Sequence, residues 1–125
     1  MYLLDIHTLL WFLNDSPKLS KRALEIITTE GKIFFSIVSL WEIAIKKTIG
    51  KLDLDSSISE IEALCYEKDI SLIQIKAKHL DKIIELPNIH SDPFDRLIIA
   101  QSIIENLILI TKDINIPHYP VKTVW

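Results

Sequence analysis

Four acids stand where an apolar chain would not ordinarily place them: Asp5 in YLLDIHTLLW, Glu42 in SLWEIAIKK, Asp95 in HSDPFDRLII and Asp113 in LILITKD. An acid pressed between YLL and IHTLLWFL is costly to bury unless something offsets its desolvation. Brought together, the four would repel one another and raise their own pKa values unless a cation compensates. Carboxylate oxygens with no cysteine nearby suit a hard ion, Mg²⁺ or Mn²⁺, better than zinc. Such a cluster holds one or two ions against a phosphodiester, where the metal generates hydroxide and stabilises the leaving oxygen.

Each acid also has a plainer use. Asp92 is a favoured N-cap type, Pro93 fits the first helical position, and Asp95 falls at the third, against the positive dipole end. Ser39-x-x-Glu42 has the form of a capping box, with Ser39 as N-cap. Asp113 follows Lys112 in an ordinary turn sequence. Asp5 has the weakest such alternative. Of the pair in HSDPFDRLII, Asp92 is expected to cap and Asp95 to face the site.

The neighbours divide similarly. Arg96 and Lys112 each adjoin a site acid and suit either a nucleic-acid phosphate or a local ion pair. Lys46, Lys47 and Lys51 make a small basic face on the helix carrying Glu42, and Ser36 lies near it. His90 is expected to be a loop histidine with a solvent partner. His7, His79 and His118 show no metal-ligand spacing. Trp11, Phe12 and Trp41 sit at helical spacing among leucines and isoleucines, a pattern commoner in cores and dimer contacts than in base-stacking platforms.

These residues need a scaffold. Apolar runs predict strands at 2–4, 32–37, 71–75, 107–111 and 121–124, mostly without alternation, as where both sheet faces are covered. Helical patterns fall at 7–14, 20–29, 39–49, 57–68, 77–86 and 93–105. Strands separated by helices give an α/β fold with a mainly parallel sheet and right-handed crossovers. Asp5, Glu42 and Asp113 then follow strands one, two and four. A helix of about a dozen residues spans roughly 18 Å, close to a five-residue strand, so Asp95 returns to the level of Asp113. All four are expected at one sheet edge, on the crevice where open α/β sheets bind ligands.

At 125 residues, 49% hydrophobic, the chain reads as one domain, 1–125, with a sizeable core. Two glycines leave no phosphate-binding loop. The lone Cys65 suits a buried thiol in a cytoplasmic protein, and neither a secretory signal nor a membrane span is expected. A net charge of −3 gives no sign of a nucleic-acid partner, although a bound divalent cation would reverse the local field.

The ordered set YLLDIHTLLW, SLWEIAIKKTIGKL, DPFDRLIIAQ and LITKD resembles PIN-domain proteins of the VapC toxin type over essentially the whole chain, including the closing VKTVW. That resemblance implies a parallel sheet of order 3-2-1-4-5 and a Mg²⁺- or Mn²⁺-dependent endoribonuclease. It further implies neutralisation by a cognate antitoxin, and homodimers. By position Asp5, Glu42, Asp95 and Asp113 match the family's acid quartet, and Asp92 an acid outside it. Ile6 stands where relatives often carry a threonine that helps hold the first acid. Alternatives are a metal-dependent DNase, a PIN fold kept only for binding, and a receiver-like phosphoacceptor. The last needs an aspartate ending the third strand, which SLIQIKAK lacks.

Overall fold

The computed structural model describes residues 1–125. Five strands, β1 (Tyr2–Leu4), β2 (Ile33–Ser36), β3 (Ile70–Ile73), β4 (Ile108–Ile110) and β5 (Thr123–Val124), form one sheet in the order β3-β2-β1-β4-β5. Every pairing is parallel, so the sheet is wholly rather than mainly so. The helices are α1 (Ile6–Leu13), α2 (Lys21–Thr29), α3 (Ile37–Thr48), α4 (Ile58–Glu67), α5 (Ala77–Glu85) and α6 (Pro93–Ile104).

The unalternating strands follow from two cores. Leu4, Ile33, Phe35, Ile70 and Ile110 face α1 to α4, with Leu9, Ile26, Ile43, Ile61 and Cys65 packed on them. Leu3 and Leu109, one residue out of step with Leu4 and Ile110, face α6, with Ile98, Ile99 and Tyr119. Successive side chains point to opposite faces, so a strand covered on both must be apolar at every position.

Two connections set the height of the site. Beyond α6, Asn106 takes a left-handed φ of 54°, Leu107 N donates to Ser102 O (2.8 Å) and Asn106 N to Ile103 O (3.3 Å). This Schellman turn reverses the chain into β4 without a loop. The start of α6 therefore lies level with the end of β4.

At β2 there is no loop either. Ser36 ends the strand and caps α3, its Oγ accepting from Val38 N at 3.0 Å. The helix thus starts at residue 37 rather than 39, and Ser39 lies inside it. The expected Ser39–Glu42 capping box does not exist, because a serine already in helical conformation has no role as N-cap. All strands but β1 are shorter than their apolar runs, β3 begins one residue early, and a 3-10 turn at Ile116–His118 adds an element with no sequence periodicity to announce it.

Candidate active site

Asp5 follows β1 directly and caps α1, its Oδ1 accepting from Thr8 N at 2.9 Å. The expectation that it had little local use is thereby corrected. Its Oδ2 accepts from the Thr111 hydroxyl at 2.5 Å. The residue is 4% exposed, and this burial raises the carboxyl above its usual range against the lowering pull of both hydrogen bonds. The Thr8 hydroxyl donates to Ile110 O at 2.9 Å and pins α1 to β4.

Thr111 serves two acids, since the same oxygen accepts from Asp113 N at 3.0 Å. Asp113 precedes the 3-10 turn, its Oδ1 accepting from Asn115 N (2.7 Å) and Ile116 N (3.2 Å). Asp5 and Asp113 open onto one cavity of about 290 Å³, shared with His7, Trp11 and Lys112.

Asp92 caps α6 as its sequence suggests: its Oδ1 accepts from Asp95 N at 2.9 Å, with Pro93 opening the helix. Asp95 is left free to meet His90 Nε2 through Oδ2 at 3.1 Å. Burial, then the charges of Asp92 and Asp113, push the Asp95 carboxyl up to about 6, although the His90 hydrogen bond works against them. Asp113 therefore acts electrostatically on Asp95 while sharing a cavity with Asp5.

His90 has protein partners instead of the solvent expected for a loop histidine. Its Nδ1 lies 2.7 Å from the Tyr119 hydroxyl and its backbone N donates to that oxygen at 3.2 Å. Burial opposes the charged ring, but the bonds to Tyr119 and Asp95 together raise the His90 pKa. Arg96 joins the network through Nη1, which donates to Tyr119 Oη (3.1 Å) and Pro87 O (2.8 Å), while Nη2 reaches Ile83 O at 3.3 Å. The guanidinium pairs with no carboxylate, so the expected local ion pair is absent; it braces the segment before α6.

Glu42 sits in the second turn of α3, 6% exposed. Its Oε2 is paired with Lys46 Nζ at 2.8 Å, while Oε1 is buried without a partner. The Ser39 hydroxyl is likewise buried and unpartnered. Buried polar atoms are normally satisfied, so an orphaned carboxylate oxygen leaves room for a donor or a cation. The four acids issue from the same sheet edge, but no three of them close into a finished ligand cage. Their all-oxygen donor set and the orphaned Glu42 oxygen nonetheless fit a hard cation.

Thr111 and Tyr119 are the functional residues that sequence reasoning missed. Thr111 left a signal, a polar residue closing the apolar run LILI before Lys112-Asp113. Tyr119 left none, because its partners lie 29 and 23 residues away.

The family model described as PIN domain matches residues 2–122. Comparison with curated proteins gives no match. Among solved structures, the chain is similar to one in the VapBC2 complex of Rickettsia felis bound to a DNA fragment from their promoter, with a TM-score of 0.71 and 20% identity, covering 98% of this chain and 96% of that one. It is also similar to one in a toxin–antitoxin complex from Klebsiella pneumoniae, with a TM-score of 0.62 and 18% identity, covering 90% and 87%. At such identities these are likenesses of fold.

Proposed function

From the premise that the chain belongs to the PIN-domain family, we propose that it is a metal-dependent endoribonuclease and the toxin of a VapBC-type pair. The observation that carries this reading is the gathering of acids at the sheet edge: Asp95 is raised by burial and then by the charges of Asp92 and Asp113, and Asp113 shares a cavity with Asp5. Carboxylates gathered at a cost to their own ionisation are suited to hold a cation.

Asp5, Asp95 and Asp113 would hold Mg²⁺ or Mn²⁺, with Glu42 completing the shell directly or through water. When bound, such an ion neutralises phosphodiester charge and lowers the pKa of water at the site. The protein's own groups orient the reaction. Thr8 N and Thr111 Oγ1 fix the Asp5 carboxylate, and each of its oxygens keeps a lone pair for a ligand. His90 fixes Asp95 and is itself fixed by Tyr119. Lys112, exposed beside Asp113, is placed to meet a phosphate of the substrate.

The likeness to chains in toxin–antitoxin complexes supports a cognate antitoxin as partner, laying an Arg or Lys across the acidic crevice. We assign a homodimer as the working form and the cytoplasm as the compartment; no helix is long and apolar enough to cross a membrane. Light scattering that finds only monomer across the micromolar range removes the dimer.

The deciding experiment incubates purified protein with structured RNAs and matched DNAs in Mg²⁺, Mn²⁺ or EDTA, and maps the cleaved ends. RNA cut in either ion and spared in EDTA is the expected result. DNA cut alone transfers the activity to the DNase alternative, and no cutting at all leaves only a binding module.

A further inference from the structure

We infer that the cavity beside Asp5 and Asp113 is a nucleobase subsite, with Trp11 as its stacking face. The inference rests on the ribonuclease reading above and specifies how that site grips its substrate.

Five residues line the cavity, and Trp11 is the only apolar one among them. Its indole is held in place from several sides. Trp125 packs edge-on at 5.7 Å and 62°, and His7 lies at 5.6 Å with its ring tilted by only 31°. Lys112 Nζ stands 5.9 Å from the indole centroid. A ring already fixed by neighbours loses little freedom when a ligand stacks on it. At about 290 Å³ the cavity falls at the small end of ligand pockets, a size suited to one base rather than to a folded helix.

Charge selects the same ligand. Without a bound cation, two of the five lining residues are acids that repel phosphate, so the attraction available there is to a flat, neutral part of the nucleotide. Every base offers such a π-face, and stacking on an aromatic side chain is sequence-tolerant. Lys112, the one cation of the lining, stands over the indole and is exposed and long enough to swing from it to the adjoining phosphate as the base takes its place. Trp41 is a weaker candidate: although 51% exposed, it packs edge-on against Phe94 at 4.9 Å, and neither ring lines a cavity with the acids.

The test titrates the full chain in EDTA with a single-stranded RNA oligonucleotide and with its abasic counterpart, which has the same backbone and charge. The base-bearing strand is expected to bind about tenfold tighter or more and to quench tryptophan fluorescence. Trp11→Leu should abolish that preference, and His7→Ala should reduce it. Equal affinity for the two strands in the wild type overturns the inference, and is the result expected if the cavity instead takes a protein segment. A preference that survives Trp11→Leu also overturns it, and if that variant does not fold, an unchanged preference in His7→Ala does so. No cleavage is measured here, so a failure of the nuclease reading is seen separately in the RNA panel.

Discussion

The Thr111 hydroxyl binds Asp5 and Asp113 at once, donating to the Asp5 carboxylate and accepting from the Asp113 backbone N–H. One buried oxygen thus fixes the spacing between the acid that follows β1 and the acid that follows β4. Replacing it should disturb both. Thr111→Val keeps the shape and removes the donor, and should cost about 1–3 kcal/mol of stability because a buried carboxylate loses a partner. Cleavage should fall by roughly 10–100-fold, as for other residues that orient a ligand of the ion. Thr111→Ser should restore most of both. Melting curves and initial rates for the two variants check this, and a Ser variant as impaired as Val would contradict it.

The aspartates of HSDPFDRLII should separate on substitution. Asp92→Asn retains an acceptor for Asp95 N, so stability should barely change, whereas Asp92→Ala should lose about 1 kcal/mol. Asp95→Asn should lower cleavage by orders of magnitude while the metal-free protein gains stability, because no carboxylate is then buried there facing the charges of Asp92 and Asp113. Equal loss of activity in folded Asp92→Asn and Asp95→Asn would mean that both aspartates serve the ion.

Stability should depend on pH in a direction opposite to that of an ordinary paired carboxylate. The Asp95 carboxyl is raised from 3.8 to about 6. Between those values the folded chain keeps a proton that the unfolded chain has lost, so stability falls as pH rises through this window and levels off above it. Asp5, also raised, acts in the same sense, and Glu60 and Glu105, both lowered, act in the opposite one. The difference between wild type and Asp95→Asn therefore reports Asp95 together with His90, whose raised pKa depends on the bond to it and which acts in the same sense. Denaturant titrations from pH 4 to 7 without divalent ions should show the gap widening in favour of the variant as pH rises.

Divalent ions should act in the reverse direction. Mn²⁺ or Mg²⁺ should raise the melting temperature, since only the folded chain gathers the acids. Asp5→Asn and Asp95→Asn should lose that gain and the Mn²⁺ binding heat in calorimetry. Variants that bind Mn²⁺ as tightly as wild type would remove both residues from the ligand set.

Arg96 should behave as a structural residue. Arg96→Lys cannot keep two carbonyls and the Tyr119 hydroxyl in one planar fork, so stability should fall by about 1–2 kcal/mol. Its cleavage rate, measured well below the melting temperature, should change less than that of Thr111→Val.

The fold was legible in the sequence to the extent that its signals are local. Strands apolar at every position announced a doubly covered sheet, and Asp92-Pro93 announced the start of α6 to the residue. The start of α3 was misjudged because two serines three residues apart both resemble caps, and only the end of β2 decides between Ser36 and Ser39. At the candidate site, residue types pointed to acids. The groups that hold them, Thr111 for Asp5 and Tyr119 for His90, are joined across 106 and 29 residues, and no window of sequence contains such a pair.

The position of β1 in the middle of the sheet, between β2 and β4, also bears on the order in which the chain is made. A ribosome-bound chain halted after α6 already contains Asp5, Glu42 and Asp95, yet one flank of β1 has no neighbour and the Asp5 Oδ2 has no donor. Both arrive together with residues 108 to 111, and Asp113 two residues later. The middle of the sheet and the setting of Asp5 are thus completed by the same short stretch.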